Sequence, residues 1–230
     1  MSIADLPPAS NPPLRSAARV QRGARAHALR LYQRHFKRAL DVALIVAAVP
    51  VALPVIAVCA ALVATDGHAP LYRQRRVGLN GKVFQIVKLR SMVPQAEAAL
   101  TAHLDESPEA RAEWDSFQKL RQDPRVTRIG RILRKTSLDE LPQLWNVLAG
   151  DMSLVGPRPM MESQRPLYPG TAYFLMRPGI TGLWQISARN LSEFADRSRF
   201  DAEYWHDLSL TSDLRILWRT IGVVLRSTGC

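Results

Sequence analysis

The segment richest in chemistry lies between positions 125 and 159 of the 230-residue chain and reads RVTRIGRILRKTSLDELPQLWNVLAGDMSLVGPRP. Asp139 and Glu140 are adjacent carboxylates. Arg125, Arg128, Arg131, Arg134 and Lys135 precede them, Arg158 follows between Pro157 and Pro159, and Asp151 sits in a loop bounded by glycine and proline. Acids flanked by so many cations suit a pocket for phosphates plus a divalent cation. A carboxylate can attack phosphorus to give an acyl phosphate once cations neutralise the oxygens that repel it, and Asp139 is the candidate nucleophile. Glu140, about 100° further round a helix, is better suited to hold Mg2+ or orient its water. The prolines on either side of Arg158 limit its backbone, a useful trait in a phosphate clamp.

The same residues also have a plain structural reading. Ser137-x-x-Glu140 has the spacing of a capping box, which predicts both acids in the first turn of a helix, where the dipole favours them whatever the protein does. Pro142, at about the fifth helical position, breaks a local rule, and such violations gather at sites. P-loop, HExxH and GxSxG patterns are absent from the sequence, so those three enzyme classes fail, and the five histidines are scattered.

The elements that must position these groups follow from composition and pattern. The length suits one good core rather than two large domains, and a chain with 47% hydrophobic and 22% charged residues is too apolar to be disordered. Two cysteines are too few for a disulfide scaffold or a four-cysteine metal site. Of the net +11, residues 1–38 carry +7, from eight basic residues against one acid. A pI near 10.4 invites a nucleic-acid reading, but a basic arm beside a long apolar run equally suits an anionic membrane surface.

The apolar run, residues 42–64, has no charged side chain and would make a helix of roughly 35 Å, which is membrane length. It contains Pro50 and Pro54, so a bend is expected. Arg34, Lys37 and Arg38 precede it and Arg73, Arg75 and Arg76 follow it, and basic flanks belong on the cytoplasmic side. A helix that enters, breaks near Pro54 and returns satisfies both flanks; a single span does not. Upstream, residues 1–13 are proline-rich, and Arg15 to Arg38 recur at near-helical intervals, as in a helix on lipid headgroups or a flexible basic tail.

Downstream, residues 70–92 read as a β-hairpin turning at Asn80-Gly81, and residues 95–120 as one or two surface helices broken near Ser107-Pro108. Residues 213–225 are amphipathic: Arg215, Arg219 and Arg226 share one side, while Leu214, Leu217, Trp218, Ile221, Val224 and Leu225 share the other. That pattern fits a helix half sunk in a bilayer interface, and equally one packed on a core.

FKRALDV before the proline-containing run, then QRRVGLNGKVFQIVKLRSM, the 125–159 segment and RPGITGLWQISARN resemble the monotopic phosphoglycosyl transferases, bacterial sugar transferases of the type that initiate exopolysaccharide synthesis. The resemblance covers everything after the arm. It implies an α+β fold, mainly helical, with a small hairpin, a proline-broken re-entrant membrane helix and interfacial amphipathic helices. The expected division is an arm at 1–35, the re-entrant helix at 36–66 and a catalytic domain at 67–230, on the cytoplasmic face of the bacterial inner membrane. It further implies transfer of a sugar 1-phosphate from a UDP-sugar, galactose before glucose, to undecaprenyl phosphate with release of UMP. Asp139 is then the covalent nucleophile and Glu140, with Asp139, the Mg2+ ligand. Lys88, Arg90, Arg134 and Arg158 are phosphate-binding cations, with Asp151, Arg177 and Gln185 as further substrate contacts. The family's Ser-Pro break falls here on Leu53-Pro54. Membrane lipids are implied partners, nucleic acid is not, and a homodimer is allowed. The rivals are a membrane-tethered nucleic-acid-binding or scaffold protein without catalysis, and a direct glycosyltransferase that would release UDP.

Overall fold

Helix α1 (Lys37–Ala64) is 28 residues long, the one described helix long and apolar enough to cross a membrane, and it follows a single π-helical turn at Tyr32–Phe36. The computed structural model describes residues 31–187 and 192–225; the basic arm before residue 31 and Arg226 lie outside them. Pro50 and Pro54 sit inside one continuous helical run, so the expected interruption at Pro54 does not appear as a non-helical residue. Proline removes one backbone donor and crowds the preceding turn, which bends a helix without having to unwind it.

One face of α1 is buried along its whole length: Lys37, Asp41, Ile45, Ala52, Cys59 and Val63 recur at spacings that keep to one side. Near its start, Ile45 packs with Phe84, Ile86, Val147 and Met152. Near its end, Cys59 and Val63 pack with Leu89 and Leu133. Both ends of the helix therefore rest on the same folded domain. On the other side Leu44, Val46, Val51, Leu53, Val58 and Leu62 are exposed.

The domain opens with the expected hairpin. Strands β1 (Leu71–Val77) and β2 (Val83–Leu89) pair antiparallel, with Val77 opposite Val83. Asn80 and Gly81 have φ of 56° and 76°, the left-handed geometry for which this dipeptide is suited. Helices α2 (Ala96–Glu106) and α3 (Pro108–Phe117) are separated at Ser107, whose hydroxyl caps α3 by accepting the Ala110 N–H at 3.1 Å. Then come α4 (Arg128–Thr136), a 3-10 turn at Leu138–Gln143, α5 (Leu144–Ala149) and β3 (Ser153–Val155), which pairs parallel with β4 (Gly179–Thr181). Short helix α6 (Leu183–Ser187), α7 (Arg197–Asp207) and α8 (Leu210–Leu225) complete an α+β architecture dominated by helix.

Helix α8 divides differently from its sequence pattern. Asp213 and Ile216 are buried and Leu217 and Thr220 half-buried, whereas Leu210, Leu214, Trp218, Ile221 and Val224 are exposed; Trp218 keeps 77% of its surface. The helix thus packs on the core through one stripe and leaves a second apolar stripe uncovered. A buried polar knot ties it to α1: Lys37 Nζ meets Asp213 Oδ2 at 2.5 Å, and the Tyr32 and Tyr204 hydroxyls donate to the same carboxylate at 2.7 and 2.5 Å.

Candidate active site

The carboxylate pair is set in place by three local devices. First, α4 starts on Thr127, whose hydroxyl accepts the Gly130 N–H at 2.9 Å, and lies so close to Ser91 that a Cβ at Gly130 would stand 1.9 Å from the Ser91 carbonyl oxygen. Only glycine allows that approach, which also lets Arg134 Nε donate to Ser91 Oγ at 2.9 Å. Helix α4 ends at Ser137, in the left-handed region at φ 58°, with its N–H on the Arg134 carbonyl. Ser137 therefore closes the preceding helix rather than capping the next, and its side chain makes no cap bond. This corrects the capping box read from the sequence: Asp139 and Glu140 lie in a 3-10 turn, and α5 begins only at Leu144. Pro142 is in that turn, ahead of α5, so it does not interrupt an α-helix.

Second, Asn146 on α5 acts as an extra strand for β2. It accepts the Val87 N–H at 3.0 Å and donates to the Gln85 carbonyl at 2.7 Å. Both backbone groups, which β1 does not satisfy, are thereby paired, and Lys88 is delivered toward the acids.

Third, a crossing of glycines fixes the Pro157-Arg158-Pro159 loop. A Cβ on Gly156, Gly179 or Gly182 would fall within 2.4 Å of facing backbone, and Gly179 N–H donates to the Pro157 carbonyl at 2.8 Å.

These devices converge on Glu140. Its Oε1 accepts Lys88 Nζ at 2.8 Å and Arg158 Nη2 at 3.2 Å. Asp139, only 7% exposed, accepts no hydrogen bond among the described residues. Burial raises its carboxyl above the ordinary range, as does the neighbouring Glu140 charge, while Lys88, Arg134 and Arg158 oppose the rise. The Arg134 guanidinium is held below its ordinary value, first by burial, with Asp139 acting in the opposite sense.

The other residues singled out from sequence are bonded to other groups. Arg90 binds Asp66 through two contacts of 2.5 and 2.7 Å and the Val63 carbonyl at 3.1 Å, fastening the end of α1. Arg177 donates to the Gly150 carbonyl at 2.9 Å and lines a small cavity with Lys37, Asp41 and Ser153. Gln185 is buried, donating to the Ile180 carbonyl at 3.0 Å. Asp151 follows Gly150, its N–H on the Asn146 carbonyl at 3.1 Å. No three Asp, Glu, His or Cys side chains cluster as a metal cage among the described residues. The adjacent pair Asp139 and Glu140 nonetheless matches how Mg2+ is usually held, by one or two carboxylates and substrate phosphates.

Two functional candidates escaped sequence reading. Arg76 on β1 and Arg197 at the start of α7 both feel the Arg158 charge, and each has a buried Nε without a partner. Burial holds Arg76 down to about 10 and Arg197 to about 9, both still cationic at neutral pH. Arg76 was visible in the QRRVG stretch only as part of a strand and as a basic flank of the apolar run, and nothing local distinguishes Arg197 from its neighbours.

A buried carboxylate left unbonded beside cations tied to its neighbour is the arrangement of an enzyme that handles phosphate groups. The chain belongs to the bacterial sugar transferase family, whose model matches residues 32–227. It is 48% identical over 198 residues to a UDP-galactose-lipid carrier transferase of Erwinia amylovora, covering 85% of this chain but 42% of that protein. It is 44% identical to the exopolysaccharide production protein ExoY of Rhizobium meliloti, over 84% of this chain and 87% of the relative. To a UDP-glucose:undecaprenyl-phosphate glucose-1-phosphate transferase of Caulobacter vibrioides it is 38% identical, over 82% and 69%.

Proposed function

We propose that the protein transfers a sugar 1-phosphate from a UDP-sugar to undecaprenyl phosphate, through a covalent intermediate on Asp139, and so initiates exopolysaccharide synthesis. An Asp139 carboxylate oxygen attacks the sugar-bearing phosphorus. The bond from that phosphorus to the bridging oxygen breaks, and UMP departs with the oxygen. A phosphate oxygen of the lipid then attacks the same phosphorus, releasing Asp139 as a carboxylate and giving a lipid-linked diphosphate sugar.

The observation that carries this reading is the contrast between the two acids. Glu140 holds Lys88 and Arg158, cations suited to phosphate oxygens, whereas Asp139 keeps its lone pairs uncommitted in a desolvated setting. Mg2+ bound by Asp139 and Glu140 would supply further neutralisation of phosphate charge. Galactose is the first assignment and glucose the second, following the relatives named for each.

The membrane reading is supported by α1: both ends rest on one domain while its outer face is apolar, as a helix that enters one leaflet and returns requires. Trp218 and its exposed neighbours on α8 suit the same interface, on the cytoplasmic side of the inner membrane.

The test is incubation with UDP-galactose or UDP-glucose, undecaprenyl phosphate and Mg2+, with nucleotide analysis and mass spectrometry of trapped protein. UMP and a hexose-phosphate adduct on the Asp139 peptide are expected. Release of UDP would assign a direct glycosyltransferase instead, and no nucleotide release would leave a scaffold.

A further inference from the structure

Arg76 and Arg197 are expensive to keep where they are. Arg197 is stacked on the rings of Trp184 and Phe194, with its guanidinium carbon 4.3 and 4.5 Å from their centroids, and its guanidinium donates no hydrogen bond among the described residues. It opens α7, where the helix dipole opposes a cation, and the charges of Arg158 and Arg76 press on it. The two aromatic faces and Asp201 offset part of this. Asp201 is itself hydrogen-bonded to the Tyr168 hydroxyl at 2.8 Å. Arg76 reaches only Gln74 and, at 3.5 Å, the Pro159 carbonyl; it has no ion-pair partner among the described residues. Among the described residues the only ion pair of these three guanidiniums is the one from Arg158 to Glu140, so they are short of negative charge, and a phosphate supplies it.

We propose that Arg76, whose guanidinium reaches the Pro159 carbonyl next to Arg158, and Arg197, whose guanidinium packs on Trp184 and Phe194, form with Arg158 a second phosphate-binding subsite, and that it holds the phosphate of the departing nucleotide. A nucleotide and a lipid both carry a phosphate ester. The nucleotide is favoured by location: Val77, which follows Arg76, and Phe194, on which Arg197 packs, belong to a cluster with Met160 and Tyr173 that includes no residue of α1, whereas two of the other three clusters do. A water-soluble ligand belongs on the face away from the apolar helix. Which phosphate is held rests on the transfer reading above; binding of a phosphate ester by these arginines does not.

The test is equilibrium dialysis of UMP and of uridine against the full chain in lipid nanodiscs, for the parent protein, Arg197→Gln and Arg76→Gln, with undecaprenyl phosphate binding measured in parallel. Each variant is expected to weaken UMP binding tenfold or more, to leave uridine and undecaprenyl phosphate binding within twofold, and to lose most of the rise in Tm that UMP gives the parent. UMP affinity within twofold of the parent in either folded variant overturns the proposal, as does an equal loss for uridine. A loss confined to undecaprenyl phosphate overturns the nucleotide assignment. If Arg197→Gln does not fold, Arg76→Gln decides by the same criteria. UMP binding needs no turnover, so the same series in an Asp139→Asn background, where no adduct can form, tests this proposal separately from the covalent mechanism: loss of UMP binding on removing either arginine there supports the subsite, and unchanged binding overturns it, whether or not the parent protein forms an aspartyl adduct.

Discussion

Asn146 clasps the free edge of β2 through both the N–H of Val87 and the carbonyl of Gln85, one residue before the lysine that reaches Glu140. A single side chain therefore sets the distance between the strand carrying Lys88 and the turn carrying both acids. Replacing Asn146 with Ala orphans two backbone groups and is expected to cost about 1–3 kcal/mol of stability, seen in chemical denaturation. Because Lys88 is then free to drift, turnover at a temperature where the variant stays folded should fall as well. A stable variant with full activity would show that β2 is positioned by its other contacts.

Asp139→Asn is expected to lower turnover by at least about a thousandfold, since an amide cannot form the phosphorylated intermediate. The same change should leave the protein at least as stable as the parent. Burial raises the folded carboxyl value, so this group's favourable contribution is complete below the ordinary aspartate value of about 4 and is lost as pH climbs through the raised one. Asn does not ionise, and its advantage in Tm should grow over that window. A variant less stable than the parent at pH 7 would contradict the strained-carboxylate picture.

Asp201 offers a second pH measurement. Burial lifts its carboxyl to about 7, against the opposing effects of the Tyr168 hydrogen bond and Arg197. Its contribution to stability is therefore present below about pH 4 and disappears between about 4 and 7. Asp201→Asn should flatten the stability profile in that interval, by an amount on the order of a few kcal/mol. Unchanged slopes in urea titrations from pH 4.5 to 7.5 would remove Asp201 from the acid-linked behaviour.

For the membrane arrangement, single cysteines at Phe36 and Pro70 should react with an impermeant maleimide from the same side of sealed inverted vesicles. Labelling from opposite sides would mean a true span.

Trp218→Ala should weaken partitioning onto anionic vesicles by about tenfold to a hundredfold, given roughly 1.5–3 kcal/mol for burying a large apolar side chain. Equal partitioning, read by sedimentation, would place α8 away from lipid.

Much of the scaffold was legible because its signals are local. Asn80-Gly81 specifies its own backbone geometry, Ser107-Pro108 stops one helix and starts another, and the apolar stretch of α1 needs no partner to be recognised. The pairing of Lys88 and Arg158 with one acid of the dyad could be anticipated only in outline, from the density of cations around Asp139 and Glu140. Ser137 misled because a serine three residues before a glutamate has the same spacing whether it opens one helix or closes another; here its left-handed φ and its N–H on the Arg134 carbonyl end α4. The pairing of Arg90 with Asp66 was not legible for a related reason, since Asp66 lies outside the hairpin. Arg76 and Arg197 are 121 positions apart in sequence and become neighbours of Arg158 only through the fold.

The Lys37–Asp213 contact joins the first turns of α1 and α8, the two helices with uncovered apolar stripes. Neither can tilt without dragging the other, so under the proposed interfacial placement a change in bilayer thickness or curvature would act on both as one rigid raft. The turn carrying Asp139 and Glu140 lies between α4 and α5, which pack on α1 through Leu133 and Val147, so that raft would set its height above lipid phosphates.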